Sequence, residues 1–248
     1  FADPVEDTRG RILTLAEAID VDRTALFTHQ VAWYRTALAY RGVDDGYLPA
    51  NLRALGAALA MALPPECVPL VQRHLAAAEA TLRAAPGELP SWLAGVGTLR
   101  GEARRFVLAL LENRGADAIA LVLRLHADGV PAVDLHEHVL MLAMREIGRM
   151  WLMAEIPIAD EHFASRVVEA CIERLAADSK PVPPTGRKVL SFAVGGDQHG
   201  LPIRFVAERF VMRGHEVWHL GADMPASDLE WMLQDRQVDL VACGASMV

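Results

Sequence analysis

The chain has 248 residues, of which 52% are hydrophobic, and this length and composition predict a globular protein of about two domains. Its formal net charge of -8 excludes a general nucleic-acid surface. The sequence contains no run of about 18 uncharged apolar residues, so we expect no membrane span. The three widely spaced cysteines are typical of a reducing cytoplasm, so we expect a cytoplasmic protein without a disulfide framework.

The first part, residues 1–97, alternates alanine- and leucine-rich stretches with glycine and proline stops, which predicts three or four helices. Trp33 and Tyr40 recur at helical spacing with Leu26 and Ala37, so we interpret both aromatic residues as packing residues rather than cofactor contacts. The region lacks a basic recognition helix. Direct DNA binding is therefore not expected.

The second part, residues 98–178, carries four helical patterns with short connections, which predicts a four-helix bundle. Trp151 lies near the end of the third pattern, and Glu161 and His162 open the fourth. Taken singly, such residues usually pack in a core or favour the first turn of a helix. His136 and His138 are two apart on a helix, so they form a poor metal pair and at least one should face solvent.

The third part, residues 187–248, is predicted to be α/β. Strands at 189–194, 216–220 and 240–242 alternate with helices at 203–213 and 226–234. This order predicts a flavodoxin-like, doubly wound parallel sheet. With three strands instead of five, we expect a partial domain, truncated at residue 248.

The loop after the first predicted strand reads Asp197-Gln198-His199. A carboxylate two residues before an imidazole can accept a hydrogen bond from one ring nitrogen and leave the other for a metal. In open α/β domains such loops lie at the carboxyl edge of the sheet, where ligands bind. His199 is therefore the candidate metal ligand, although an isolated motif of this kind is more often a polar surface turn.

The segment from Asp197 to Pro202, preceded in order by Trp151 and Glu161-His162, resembles the cobalamin-binding module of corrinoid-dependent methyltransferases and of the light-sensing CarH-like regulators. In that family the loop reads Asp-x-His-x-x-Gly, and its histidine replaces the cofactor's own base beneath cobalt. The resemblance implies adenosylcobalamin with His199 as the lower ligand. It also implies that the bundle caps the upper face. The cofactor contacts that it suggests are Trp151, Glu161, His162, Asp197, His199, Gly200, Gly244 and Ser246.

Some positions depart from the family pattern. Pro202 replaces the final glycine of the loop, and Leu152 follows Trp151 where CarH-like proteins have a histidine. The family's serine, which lines the groove for the nucleotide tail, falls by spacing at Gly244, and Ser246 is the nearest hydroxyl. The later Gly-Gly pair of the family is absent. Leu152 cannot supply the second axial histidine of a CarH-like photoproduct, and a partial domain without these groove residues predicts weakened cofactor affinity.

A helical region without DNA-binding character ahead of the bundle resembles the photocobilins, in which a cobalamin module is joined to a biliverdin-binding segment. This resemblance implies a second chromophore, biliverdin. Basic groups would pair with its propionates, and a thiol could form a thioether. Cys67 is the candidate thiol, and the candidate basic residues are His29, Arg35, Arg41 and Arg53.

The function predicted from these features is light sensing with adenosylcobalamin. Loss of the upper ligand would change the assembly of a homo-oligomer or the state of a fused or partner output domain. The sequence shows no nucleophile and base pair, so an enzyme is not expected. Two alternatives stay open. One is a corrinoid carrier protein for methyl transfer, and the other is a haem or other tetrapyrrole sensor built on a cobalamin-type fold.

Overall fold

The computed structural model describes residues 4–84, 89–179 and 182–246. The chain divides into two compact units, of which the first comprises the chain up to Pro90 together with Arg149–Glu155, and the second comprises Ser91–Gly148 and the chain from Ile156 onward. The second unit thus contains most of the expected bundle and the expected sheet. The boundaries 1–97, 98–178 and 187–248 stay predictions. Within the described ranges, no helix has the length and apolar character needed to cross a membrane.

The first unit is built from the helices α1 (Pro4–Asp20), α2 (Thr24–Ala39), α3 (Tyr47–Ala62) and α4 (Val68–Ala84). Their apolar faces bury a common core that includes Leu15, Phe27, Val31, Leu52 and Leu75. The helix α3 ends where Leu63 turns to an extended conformation, because the residue before a proline is pushed out of the helical region.

The expectation for the aromatic residues of α2 is only partly right. Trp33 is half-buried, but Tyr40 is exposed because it follows the last residue of the helix and leaves the packed face. Leu26, at the start of the same pattern, is exposed as well. The helical period therefore holds in the middle of α2 and fails at both ends.

The bundle lies in the second unit except for the end of α8. Its elements are α5 (Arg100–Leu111), α6 (Gly115–Ala127), α7 (Ala132–Leu135), a π-helical turn (His136–Leu140), α8 (Met141–Leu152) and α9 (Ile158–Asp178). The third expected helix is therefore the run from α7 through the π-helical turn to α8. Gly115 lets α6 approach α9, because a Cβ there would meet Val167 Cγ2 at 2.9 Å and Phe163 Cζ at 3.0 Å.

The sheet has three parallel strands, β1 (Lys188–Val194), β2 (Glu216–Met224) and β3 (Leu240–Gly244), in the order β2-β1-β3. The central strand β1 is buried from Val189 to Ala193, as expected for a strand with neighbours on both sides. The helix α10 (Gly200–Val211) follows β1, and α11 (Ala226–Asp235) follows β2. The predicted fold class, a helical region and bundle followed by a flavodoxin-like parallel sheet, is confirmed.

The strand order determines where a ligand can bind. In a sheet of order 2-1-3 the strands after β1 are added first on one side of it and then on the other, and the crevice outside the carboxyl ends of β1 and β3, where the strand order reverses, is the usual ligand position. The loop after β1 carries Asp197 and His199, and the segment after β3 carries Ser246. The fold therefore brings the loop with Asp197 and His199 close to Ser246, although they lie almost fifty residues apart in the sequence.

Candidate functional site

Asp197 is the buried centre of the site. It lies in a tight turn in which its backbone N–H donates to the carbonyl of Val194 at 3.0 Å. Gly196 adopts a φ of 87°, a conformation that favours glycine. The turn directs the Asp197 carboxylate inward, where the residue is only 1% exposed. A buried charge of this kind requires hydrogen-bond partners.

Two residues supply those partners. The backbone N–H of His199 donates to Asp197 Oδ1 at 2.9 Å, and the His199 ring lies with Nδ1 at 2.8 Å from the same oxygen. The backbone N–H of Ser246 donates to Oδ2 at 2.7 Å, and the Ser246 hydroxyl lies 2.8 Å from Oδ1 and 2.9 Å from Oδ2. Burial opposes ionisation of Asp197, but these hydrogen bonds outweigh it and hold the pKa of the carboxyl below its ordinary value.

His199 presents the remaining ring nitrogen for ligation. Donation of Nδ1–H to the Asp197 carboxylate fixes the tautomer in which Nε2 carries the lone pair. The His199 side chain is 62% exposed, whereas that of Asp197 is 1% exposed. The pair thus combines a buried, negatively charged carboxylate, Asp197, with an accessible imidazole, His199. This is the arrangement that favours binding of a single metal ion through one nitrogen.

The two glycines among the predicted site residues have clear packing roles. A Cβ on Gly200 would lie 3.4 Å from the Cβ and the backbone nitrogen of Ala222, and a Cβ on Gly244 would lie 3.1 Å from the Cβ of Ile203. Both glycines therefore allow the start of α10 to approach the sheet. Their roles as cofactor contacts stay predictions.

Asp223 is an anchor of the site that the sequence did not reveal. The Gly196 N–H donates to Asp223 Oδ1 at 2.7 Å, and the Asp223 N–H donates to the Asp197 carbonyl at 3.0 Å. Asp223 has a φ of 55°, which Asp tolerates better than most residues. The signal available in the sequence was an acidic residue next to Gly221-Ala222 at the end of the second strand.

Ser246 is the hydroxyl of the site. The spacing argument assigned the family's serine position to Gly244, but the side chain that reaches Asp197 belongs to Ser246, two residues further along. The Ser246 hydroxyl also lies 2.9 Å from His199 Nδ1. Strand β3 extends to Gly244 rather than ending at residue 242, and this extension moves the loop position along the chain.

Glu161 and His162 lie in the first turn of α9. The His162 Nδ1 is 2.9 Å from Glu161 Oε2, and the Ser165 hydroxyl donates to Glu161 Oε1 at 2.9 Å. The His162 side chain is 73% exposed and that of Glu161 is 26% exposed. Both are therefore available for contacts outside the helix. Their position near an adenosyl group stays a prediction.

Trp151, the expected sensor of the upper ligand, lies in the first unit at the end of α8. Its ring centroid is 6.0 Å from that of Trp33, with 31° between the planes. The guanidinium of Arg41 lies 5.2 Å from the centroid of the Trp151 ring. Arg41 was also a candidate partner for a propionate. Its proximity to an indole at the expected cofactor cap is a feature that the sequence did not indicate.

A cleft of about 260 Å³ opens in the first unit. Two of the four candidate basic residues for a tetrapyrrole, Arg35 and Arg53, line it, whereas His29, Arg41 and Cys67 are not among its lining residues. Cys67 is exposed. The other lining residues are apolar or acidic: Leu38, Ala39, Val43, Asp44, Asp45, Leu48, Pro49, Glu79 and Leu82, with Arg83 as a third basic group.

The described residues do not offer a complete set of protein ligands for a metal ion. Among the residues that the structure describes, no group of three or more His, Cys, Asp or Glu side chains could hold a metal ion. A metal bound by His199 would therefore need its remaining ligands from another source. A macrocycle such as a corrin supplies four nitrogen ligands of its own, so the site fits a metal of that kind.

Comparison with known proteins adds independent evidence. Residues 102–176 match the family model described as the B12 binding domain. No curated protein matches the chain. A cobalamin-binding protein from Desulfitobacterium hafniense DCB-2 is similar in structure, with 19% identity, a TM-score of 0.32 and coverage of 58% of this chain and 68% of that one.

The methanol:cobalamin methyltransferase complex MtaBC from Methanosarcina barkeri is also similar, with 21% identity, a TM-score of 0.34 and coverage of 66% of this chain and 68% of that one. The family match covers the part of the chain that forms α6, α7, the π-helical turn, α8 and most of α5 and α9. The helical part of the second unit is thus similar to the B12 binding domain, and this match supports a cobalamin or corrinoid as the cofactor.

Proposed function

We propose that the protein binds adenosylcobalamin with His199 as the lower ligand of cobalt and acts as a light sensor. The observation that carries the cofactor assignment is the His199 ring, whose Nδ1 is tied to the buried Asp197 while the side chain is 62% exposed. Asp197 makes the imidazole a better electron donor to a metal, because its carboxylate accepts a hydrogen bond from the Nδ1–H of the ring. Ser246 and the backbone of His199 keep that carboxylate ionised and fixed.

The light-sensing part of the proposal depends on the upper side of the cofactor. Bound adenosylcobalamin supplies a cobalt–carbon bond that light can cleave. Trp151 and the Glu161-His162 pair occur in the order that the light-sensing branch uses, and an indole offers a large apolar surface to an adenosyl group. Contacts made only while the adenosyl group is present give the protein different free energies before and after that group is lost. A binding role without catalysis is part of this proposal.

We extend the proposal to a second chromophore, biliverdin, in the first unit. The supporting observation is the cleft that Arg35 and Arg53 line beside apolar residues, because propionates pair with guanidinium groups. At about 260 Å³ the cleft is smaller than a typical pocket for a drug-sized ligand, so part of such a pigment would remain outside it. Cys67 is the candidate for covalent attachment.

Absorption spectra of the purified protein, loaded with adenosylcobalamin in darkness and then exposed to green light, test the function. A photoreceptor should show a persistent light-induced change and a dark spectrum that depends on His199. His199→Ala should shift the cobalt bands to shorter wavelength and weaken binding at least tenfold, since the only proposed protein ligand is lost. An unchanged cobalt spectrum in His199→Ala would contradict the central assignment.

The same spectra separate the alternatives. A corrinoid carrier protein would bind methylcobalamin at least as well as adenosylcobalamin, because a carrier needs an accessible upper face for its partner. A haem or other tetrapyrrole sensor would take up that pigment in preference to cobalamin. The carrier is the second candidate, since the match to the B12 binding domain supports it equally.

A further inference from the structure

The end of α8 is held by a side chain from the N-terminal helices. The last carbonyls of a helix lack partners within that helix. Arg41 reaches two of them here, because its Nη2 donates to the Trp151 carbonyl at 3.0 Å, which also accepts from the Ala154 N–H at 3.0 Å, and its Nη1 donates to the Leu152 carbonyl at 2.9 Å. Its Nη1 also donates to the carbonyl of Ala37 at 2.8 Å. One guanidinium therefore joins the carboxyl ends of α2 and α8, where a positive charge is favourable.

The same guanidinium also fixes the Trp151 side chain. Arg41 lies 5.2 Å from the centroid of the Trp151 ring, within the range of a cation–π contact. The Trp33 ring is 6.0 Å from that of Trp151 with a tilt of 31°, which lies within the range of an attractive aromatic pair. Partial burial lowers the pKa of Arg41 from its ordinary value, so the group has lost some of its water and depends on these contacts.

We propose that Arg41 is a positioning residue for Trp151, with Trp33 as its packing partner, and that the N-terminal helices thereby set the preference of the protein for the group above cobalt. This inference rests on the proposed function. Arg41 lies two residues after the end of α2 and Trp33 lies within that helix, so a change in the orientation of the Trp151 indole acts directly on α2. The N-terminal region would thus respond to the upper ligand through this contact.

The test uses the full chain and the variants Arg41→Gln, Arg41→Lys, Trp33→Phe and Trp151→Phe. The first measurement, on protein without cofactor, is the far-ultraviolet circular dichroism of the indole pair. Trp33→Phe and Trp151→Phe should each abolish its exciton signal, and Arg41→Gln should reduce it. The second measurement is the ratio of the dissociation constants for methylcobalamin and adenosylcobalamin. Arg41→Gln should reduce this ratio about tenfold, because hydrogen bonds from a charged donor are lost.

Arg41→Lys should recover only part of the ratio, because an ammonium keeps the charge but lacks the planar fork that reaches two carbonyls. Arg73→Gln is the matched control, since Arg73 lies on α4 of the same unit and makes an exposed ion pair with Asp22. This control should keep both the exciton signal and the ratio. An equal change in the control would overturn the proposal by showing a general effect of charge.

The outcomes also separate this inference from the proposed function. If the wild-type protein binds cobalamin with a spectrum that depends on His199, but Arg41→Gln keeps both the ratio and the exciton signal, the positioning role is overturned and the function stands. If the wild-type protein binds no cobalamin, the proposed function fails, and the ligand preference assigned to Arg41 fails with it. Should Arg41→Gln not fold, Arg41→Lys and Trp33→Phe give the same two measurements.

Discussion

At the scale of single residues, the site depends on one carboxylate whose charge is stabilised by its neighbours. Asp197 is buried, and the hydrogen bonds that it accepts come from His199 and Ser246. The pKa of Asp197 is lowered in the folded protein, so the hydrogen bonds to its charged carboxylate stabilise the fold. This stabilisation is fully present above about pH 4, the pKa of an aspartate in the unfolded chain. The contribution is lost as the pH falls through the folded-state pKa of Asp197.

Ser246→Ala is therefore expected to destabilise the protein by about 1 kcal/mol at pH 7, because the hydroxyl hydrogen bond to a buried carboxylate is removed. The pKa of Asp197 should rise, and the difference from wild type should shrink in acid, where Asp197 is protonated in both proteins. Chemical unfolding at several pH values measures this difference. Ser227→Ala, which changes an exposed serine of α11, is the control. A difference that does not vary with pH would argue against an interaction with the charged carboxylate.

Much of this site was predictable at the residue scale, because Asp197 and His199 are close in sequence and their chemistry is local. Ser246 was harder to assign, since its contact depends on how far β3 extends, and strand ends are not determined by local pattern. Asp223 was missed for a similar reason. Its role depends on the parallel pairing of β1 with β2, which places their carboxyl ends side by side.

At the scale of elements, the run from α7 to α8 contains a π-helical turn, His136–Leu140, that the helical period did not predict. His136, at its start, is 1% exposed and contacts Phe205 of α10 edge to face, with the ring centroids 5.7 Å apart. We expected at least one of the two histidines to face solvent. His136 is buried and His138 is half-buried, so only His138 reaches the solvent, and only in part. Glu137, between them, pairs with Arg209 of α10 at 2.6 Å.

The surroundings of His136 predict an acid-sensitive bundle. Burial first, and then the positive charges of Arg209 and Arg204, lower its pKa to about 4. The unfolded chain binds a proton near pH 6.5 and the folded chain does not, so stability falls as the pH drops from about 6.5 to about 4. The loss from this group should approach about 3 kcal/mol at pH 4.

His136→Leu should remove this acid-linked part of the loss, and unfolding measured between pH 7 and pH 4 would show a flatter profile than that of the wild type. His138→Leu, a change of the same kind two residues along, should keep the slope of the wild type. Parallel profiles for the wild-type protein and His136→Leu would assign the acid sensitivity to other groups.

At the scale of the whole molecule, the order of the parts was predictable, because long helical patterns and alternating strands and helices are strong signals. The sheet order β2-β1-β3 requires, in addition, that the connection from β2 to β3 pass over β1. The grouping of Arg149–Glu155 with the N-terminal helices was not predictable. It depends on contacts such as those between Arg41 and the end of α8, which join residues more than a hundred positions apart and leave no local pattern.

The last prediction concerns the cleft of the N-terminal unit. If biliverdin binds there, co-expression with a source of biliverdin should give a red absorption band. Arg53→Glu should reduce that band severalfold, because a carboxylate in place of an exposed guanidinium repels a propionate. Arg73→Glu reverses the same charge on α4, outside the residues that line the cleft, and should leave the band unchanged. Cys67→Ser should release the pigment under denaturing conditions only if attachment is covalent. A protein without a red band, or a band equally sensitive to both charge reversals, would show that the cleft is not a biliverdin site and leave cobalamin as the proposed cofactor.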